Sequence, residues 1–325
     1  MRTDTFIAHV VTSKCADSLP LYRLEKSLAR DGVPVARSTL TDLFHRAAME
    51  LAPVSEHLLR RVAEQDVVQG DETPMKVQAP EKTRMGFLWT FLAQEAATQD
   101  ELIAYCFSPT RAGTTPVEVL GGTQGALVVD GYTGYNRVTT PEARTRVGCW
   151  AHVRRRFFEA LPANPAAEEA LRLILALYRV EAAAKAADLT GTPAHQALRQ
   201  QQSAATLETL RTWLKENQPL HPPRGPQGGA ISYALGQWEA FTRFVEDVRL
   251  PLDSRVGDRR GGVQAALGCV RRFRLRARVE RAITPSPAPA SSNRTGGFPA
   301  SGSPRRRHLI GVMIPFGRAP AFAAV

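Results

Sequence analysis

Val67-Val68-Gln69-Gly70-Asp71 and Ala126-Leu127-Val128-Val129-Asp130 are two β-like runs, each ending on an aspartate. The second is continuously apolar, as a buried parallel strand requires. Carboxylates at the ends of two neighbouring strands form a natural site for divalent cations. Two Mg²⁺ ions about 4 Å apart can activate an attacking oxygen and stabilise a leaving one in phosphoryl transfer. In isolation, Asp71 has a bland reading too: a turn aspartate bonding to the backbone near Thr73. What lies between and around the two runs decides between these readings.

Two more strand-like runs follow the first: Gly86-Phe87-Leu88-Trp89-Thr90-Phe91-Leu92-Ala93 and Leu102-Ile103-Ala104-Tyr105-Cys106-Phe107. Short polar connections predict an antiparallel meander. A short helix is expected over 115–120 before the run ending at Asp130, and a turn or short helix over 132–137 after it. Arg146-Val147-Gly148-Cys149-Trp150 is the last strand, leading into a helix over 151–161. The order β-β-β-α-β-α-β-α resembles that of ribonuclease H-like folds. There the first and fourth strands lie side by side, which would bring Asp71 and Asp130 together. Glu72 alternates to the other face of its strand and is left out of the metal site.

Upstream, Leu21, Leu24 and Leu28 have helical spacing, and Asp31-Gly32-Val33-Pro34 ends that helix. Ser38 is a candidate N-cap for a helix over 39–51, and another short helix is expected over 57–64. The pair around the Gly-containing turn reads as an ordinary αα-hairpin or as a helix-turn-helix. Downstream, helices are expected over 168–187, 195–216 and 231–248, with a Pro/Gly loop over 219–229 and the aromatics of the last helix packing the core. This predicts an α/β chain in four parts. Residues 1–64 form an N-terminal helical segment, 65–161 a ribonuclease H-like mixed-sheet core, 162–253 a helical region, and 254–325 an Arg/Pro-rich, disordered tail.

The net charge of +11 is uneven. Residues 254–325 carry 14 Arg, no Lys and two acids, Asp258 and Glu280, for +12; residues 1–253 carry 28 basic and 29 acidic residues, for −1. A high overall charge usually points to nucleic acid, but here the folded part is near neutral. The tail reads as a basic nucleic-acid-binding arm, or as the product of a slipped reading frame in GC-rich DNA, because Lys and most acids vanish at one point. No apolar run approaches the roughly 20 residues of a membrane span, and Met1-Arg2-Thr3-Asp4 opens no signal pattern. A cytoplasmic, nucleoid-associated location is expected, with no membrane partner. Cys15, Cys106, Cys149 and Cys269 lie far apart and form no C-x-x-C pair. Cys149-x-x-His152 is half a zinc site or, more simply, a strand-to-helix junction. Arg154, Arg155 and Arg156 either contact DNA phosphates or form a solvated helix face.

Four stretches resemble the transposases of the insertion sequence 66 family: Ala8 to Arg23 with Arg37-Ser38-Thr39-Leu40; Gly70-Asp71-Glu72-Thr73-Pro74 with Gly86-Phe87-Leu88-Trp89-Thr90; Asp130-Gly131-Tyr132-Thr133-Gly134-Tyr135-Asn136; and Cys149-Trp150-Ala151-His152-Val153-Arg154-Arg155-Arg156-Phe157-Phe158. The resemblance runs from about Ala8 to Asp253. It implies a ribonuclease H-like DDE transposase that uses Mg²⁺ or Mn²⁺ to cut transposon-end DNA and join it to target DNA, with a homo-oligomer open. Asp71 and Asp130 match the first two catalytic acids and are the expected metal ligands. The family's third acid, a Glu, follows a Leu-Pro-(Leu/Ile)-Asp-Asn-Asn stretch. Here Leu250-Pro251-Leu252-Asp253 matches and then the pattern fails. By counting, Asp258 takes the Glu position, ahead of Glu280. No coiled coil or Cys-rich segment precedes Ala8. The expectation is therefore a transposase truncated at its start, frameshifted at its end, and catalytically poor or dead. A ribonuclease H-like nuclease with another substrate, or a non-catalytic DNA-binding remnant, are the alternatives.

Overall fold

A computed structural model describes residues 3–77, 83–254, 256, 309–310 and 313–315. Strands β1 (Val67–Val77), β2 (Arg84–Gln94) and β3 (Glu101–Ser108) form the expected antiparallel meander. Strands β4 (Gly125–Val129) and β5 (Arg144–Gly148) then add in parallel on the other side of β1, in the order β5-β4-β1-β2-β3. The first and fourth strands are neighbours, as the topology argument required.

Alternation along the strands sends side chains into two cores, one on each face of the sheet. On β2, Phe87, Trp89, Phe91 and Ala93 face one way, into a core shared with Leu58, Leu59 and Val62 of helix α3 (Arg37–Ala63) and with Leu120 of helix α4 (Thr114–Leu120). On the opposite face, Ala126, Val128 and Val147 pack against four helices: α5 (Trp150–Ala160), α6 (Ala167–Ala186), α8 (Ala204–Asn217) and α9 (Pro226–Gly236). Each fully buried Leu or Phe contributes about 1.5–3 kcal/mol. These two cores therefore fix the register of β1 and β4, because a one-residue slip would turn every side chain to the wrong face.

Several expectations need correction. The two helices expected over 39–51 and 57–64 are one 27-residue helix, α3, running through Pro53. Proline in a helix interior removes a hydrogen bond and crowds the preceding turn. Here each half is held by its own core: Leu40, Leu43 and Ala47 toward the N-terminal helices, Leu58, Leu59 and Val62 under the sheet. The mixed opening segment forms helix α1 (Asp4–Cys15), whose Ile7 and Val10 pack with Leu24 of α2 (Leu21–Arg30) and with α3. The helix expected over 195–216 is α7 (Pro193–Leu198), a π-helical turn (Arg199–Ser203) and α8. The Pro/Gly loop over 219–229 ends early, because Pro226 sits at the first position of α9, where its missing N–H costs nothing. The helix expected over 231–248 breaks at Gln237 into α9 and α10 (Trp238–Thr242).

Of the tail expected to be disordered, Leu309–Ile310 and Met313–Pro315 (β6 and β7) pair in parallel with β3. The rest of 254–325, apart from Ser254 and Val256, lies outside the described residues. Among the described residues, no helix is long and apolar enough to cross a membrane.

Candidate active site

The β1–β4 register pairs Val67 with Ala126, Val68 with Leu127 and Gln69 with Val128. The same offset carried two steps farther sets Asp71 beside Asp130. Parity agrees: Val67, Ala126 and Val128 point to the α5 side, while Val68, Leu127 and Val129 point away. Asp71 and Asp130 thus share the α5 face of the sheet. Burial first, then the charges of Glu72 and Asp130, push the Asp71 carboxyl up from its ordinary 3.8 to about 7, against Arg155. Asp71 Oδ1 accepts from the Glu72 N–H at 2.9 Å. Asp130 Oδ1 accepts from the Tyr132 N–H at 2.9 Å, an Asx-turn that fixes the loop after β4.

Two crowded carboxyls, one with a strongly raised proton affinity, are what a divalent cation relieves. Among the described residues, no group of three or more His, Cys, Asp or Glu side chains forms a metal cluster. The pair could offer two oxygen donors to a divalent cation, with water and other oxygens completing a Mg²⁺ or Mn²⁺ shell. Asp258 and Glu280, the candidates for a third acid, lie outside the described residues.

The stretch leading to them docks firmly. Leu250 and Leu252 are buried in the α5-side core. The Trp150 N–H donates to the Leu252 carbonyl at 3.2 Å. Asp253 Oδ1 accepts from the Ala151 N–H at 2.7 Å and from the Tyr178 hydroxyl at 2.8 Å. A residue 102 positions away thus caps the first turn of α5, and an anion there is favoured by the helix dipole. Val256 is buried against Leu88, Leu92, Ile103 and Tyr105 of β2 and β3. The chain therefore leaves Asp253 on the same face of the sheet as the two carboxylates.

The first turns of α5 complete that face. Cys149 is buried, its thiol pushed up to about 11 chiefly by burial, and its Sγ accepts from the Ser254 N–H at 3.3 Å. Cys149 stands between the end of β5 at Gly148 and the start of α5 at Trp150, so Cys149-x-x-His152 spans a strand-to-helix junction. His152 Nδ1 is buried with no hydrogen-bond partner among the described residues. Burial lowers the proton affinity of this imidazole; Asp130 opposes that, and Arg155 and Arg156 reinforce it. Of the exposed arginine run, Arg154 stacks over Tyr178 at 5.1 Å and Arg156 over Tyr233 at 4.0 Å.

The opposite face of β1 carries Glu72, as its alternation required, together with Arg111, which the sequence did not single out. The Glu72 side chain is 1% exposed and paired with Arg111, and Oε2 accepts from the Tyr135 hydroxyl at 2.7 Å. Arg111 also lies 4.0 Å over the Tyr132 ring. Arg146 Nη2 donates to the carbonyls of Asp130 (3.0 Å) and Tyr132 (2.6 Å), and Nη1 to Asn136 Oδ1 (2.7 Å). The Gly131 N–H donates to the Tyr233 hydroxyl at 3.0 Å. A Cβ at Gly131 would stand 2.2 Å from Gln237 Nε2 and 2.5 Å from the Tyr233 ring, so any side chain there would have to displace both. The repeated aromatic and Gly residues of 130–136 were the available signal for Tyr135; Arg111, Tyr233 and Gln237 carried none.

The family described as "Transposase IS66 family" matches residues 1–259, and the chain belongs to it. Three proteins of Sinorhizobium fredii are similar in sequence: uncharacterized protein y4qI is 32% identical over 272 residues, y4jD 28% over 274 and y4hP 26% over 276. The matches cover 79%, 80% and 78% of this chain and 50%, 53% and 49% of those proteins. The chain thus spans about half the length of the curated relatives it matches.

Proposed function

We propose that this transposase-family chain carries the catalytic core of a DDE-type enzyme, one that cuts DNA at transposon ends and joins the freed 3′-hydroxyl to target DNA. The observation that carries the reading is the β1–β4 register, which sets Asp71 beside Asp130 on the α5 face. Asp71 and Asp130 would hold Mg²⁺ or Mn²⁺. When bound, the cation supplies Lewis acidity, favouring attack by an oxygen and departure of the 3′-oxygen at phosphorus.

The chain's own groups do the rest. Asp71 holds a proton up to about pH 7 and releases it when positive charge arrives. Arg146 and the Asx-turn fix the Asp130 loop, so its carboxylate needs little reorganisation. Arg155, whose charge already acts on Asp71, is placed to receive a phosphate oxygen. His152 presents a half-buried imidazole beside Asp130.

A third carboxylate normally fixes metal number and geometry, and the family pattern lapses after Asp253. We therefore expect this chain to join strands poorly or not at all. The family match ending at residue 259, a few residues past the compositional break, supports reading the tail as an out-of-frame product.

The test is a Mg²⁺- and Mn²⁺-dependent strand-transfer assay on transposon-end DNA. It would use the purified chain and a version translated in the frame that continues Leu-Pro-Leu-Asp into Asn-Asn and a Glu. The expected result is trace joining by the first and robust joining by the second, abolished by Asp71→Asn. Robust joining by the chain as it stands would overturn its reading as degenerate. Cleavage of RNA–DNA hybrids without joining, by both versions, would overturn the transposase chemistry in favour of a nuclease.

A further inference from the structure

A groove of about 960 Å³ lies on the far side of the Asp130 loop, between α8 and the α9–α10 turn, and it reaches Arg146 on β5. It is separate from the carboxylate pair but shares a wall with it. Arg146, at one end, holds the Asp130 carbonyl. Gln237, farther along, fills the space that a side chain at Gly131 would need.

The lining is specific. Trp238 forms part of the wall, half-buried, braced edge-on by Trp150 with ring centres 6.2 Å apart and planes at 87°. The Arg211 guanidinium lies over the Trp238 ring, 5.9 Å from its centre, so a planar ring entering the groove would stack on Trp238 alongside or in place of it. Arg146 Nε is buried with no hydrogen-bond partner among the described residues. The charges cancel: Arg146, Arg211 and Arg243 against Glu208, Glu239 and Glu246, with Arg243 paired to Glu239.

A charge-balanced groove has no net attraction for a phosphate. A braced indole wall with mixed donors and acceptors fits a flat, neutral ring rich in polar edges. On a protein acting on DNA, that ring is a nucleobase released from its pair. Every base has a π-face, so stacking on tryptophan tolerates any sequence. We infer that this groove holds one unpaired DNA base of the strand lying at Asp71 and Asp130, stacked on Trp238 with its edge toward Arg146 and Gln237. The inference rests on the reading that the carboxylate pair receives a DNA phosphate.

The experiment measures binding of the 325-residue chain in EDTA, so catalysis plays no part. The probes are a blunt duplex and the same duplex with a three-nucleotide single-stranded overhang carrying 2-aminopurine. The overhang should tighten binding by about fivefold or more, and the 2-aminopurine fluorescence should be quenched on binding. Trp238→Ala should abolish both effects. Trp238→Phe, which keeps an aromatic face against Trp150, should retain most of them.

Equal binding of blunt and overhang duplexes would overturn the groove's role and leave the DNA reading intact. Failure to bind either duplex would overturn both. Competition by free dAMP as strong as by the overhang duplex would also overturn it, because the groove would then be a free-nucleotide site.

Discussion

Asp71 is where function and stability pull in opposite directions. Its folded-state proton affinity is raised, to about 7 from 3.8, by burial and by two neighbouring acids. In the unfolded chain it ionises near its ordinary value. Between those values the folded state binds the extra proton, so stability falls as pH rises from about 4 to 7 and stays reduced above that. Asp71→Asn removes the penalty. At pH 8 the variant should be more stable than the parent by about 1–3 kcal/mol, and at pH 4 the difference should vanish. Urea unfolding at both pH values checks this; a variant equally or less stable at pH 8 would mean that Asp71 is not the crowded carboxyl described here. At this scale the sequence showed Asp71 and Asp130 clearly, because each ends an apolar run and sits in a distinctive motif. It could not show Glu72 paired with Arg111, since that contact joins residues 39 positions apart and depends on how the chain after β3 folds back.

Single side chains also join the elements. Arg144 is 1% exposed, yet it opens β5 and donates to Thr123 Oγ1 (2.8 Å), to the Ala126 and Gln65 carbonyls (3.2 Å each) and to the Ala63 carbonyl. It satisfies the C-terminal end of α3 and ties it to β4. Arg144→Met would leave those carbonyls buried without donors, and urea unfolding should show a loss of about 3–5 kcal/mol. Arg144→Lys should recover less than half, because one ammonium cannot reproduce the guanidinium fork. Asp253 works similarly between the end of the helical region and α5. Asp253→Ala should cost about 1–2 kcal/mol and Tyr178→Phe about 1. The double variant should fall short of the sum by at least about 0.5, and strict additivity would show that the two residues do not act together. The meander, β4, β5 and α5 were all legible from periodicity. The helix boundaries were less so: 39–51 and 57–64 read as two helices, and nothing local announced that two separate cores would hold them as one helix, α3, through Pro53.

At the scale of the molecule, the alternation of β1 and β4 places the two aspartates on one face, and the helical region after β5 builds that face up. The strand order was legible because each connection was short or carried a helix of its own. The docking of Leu250–Ser254 back onto α5 was not, since it links segments about 100 residues apart through backbone groups that leave no trace in composition. The account comes down to a claim that Asp71 and Asp130 act as one cation-binding pair. Mn²⁺ titration of the 325-residue chain, followed by electron paramagnetic resonance at pH 7.5, tests it most directly. The account predicts saturable binding, weak because a third acid is not secured, that is lost in Asp71→Asn and equally in Asp130→Asn. Mn²⁺ binding that survives both substitutions, or no binding by the parent chain at any accessible concentration, would contradict it.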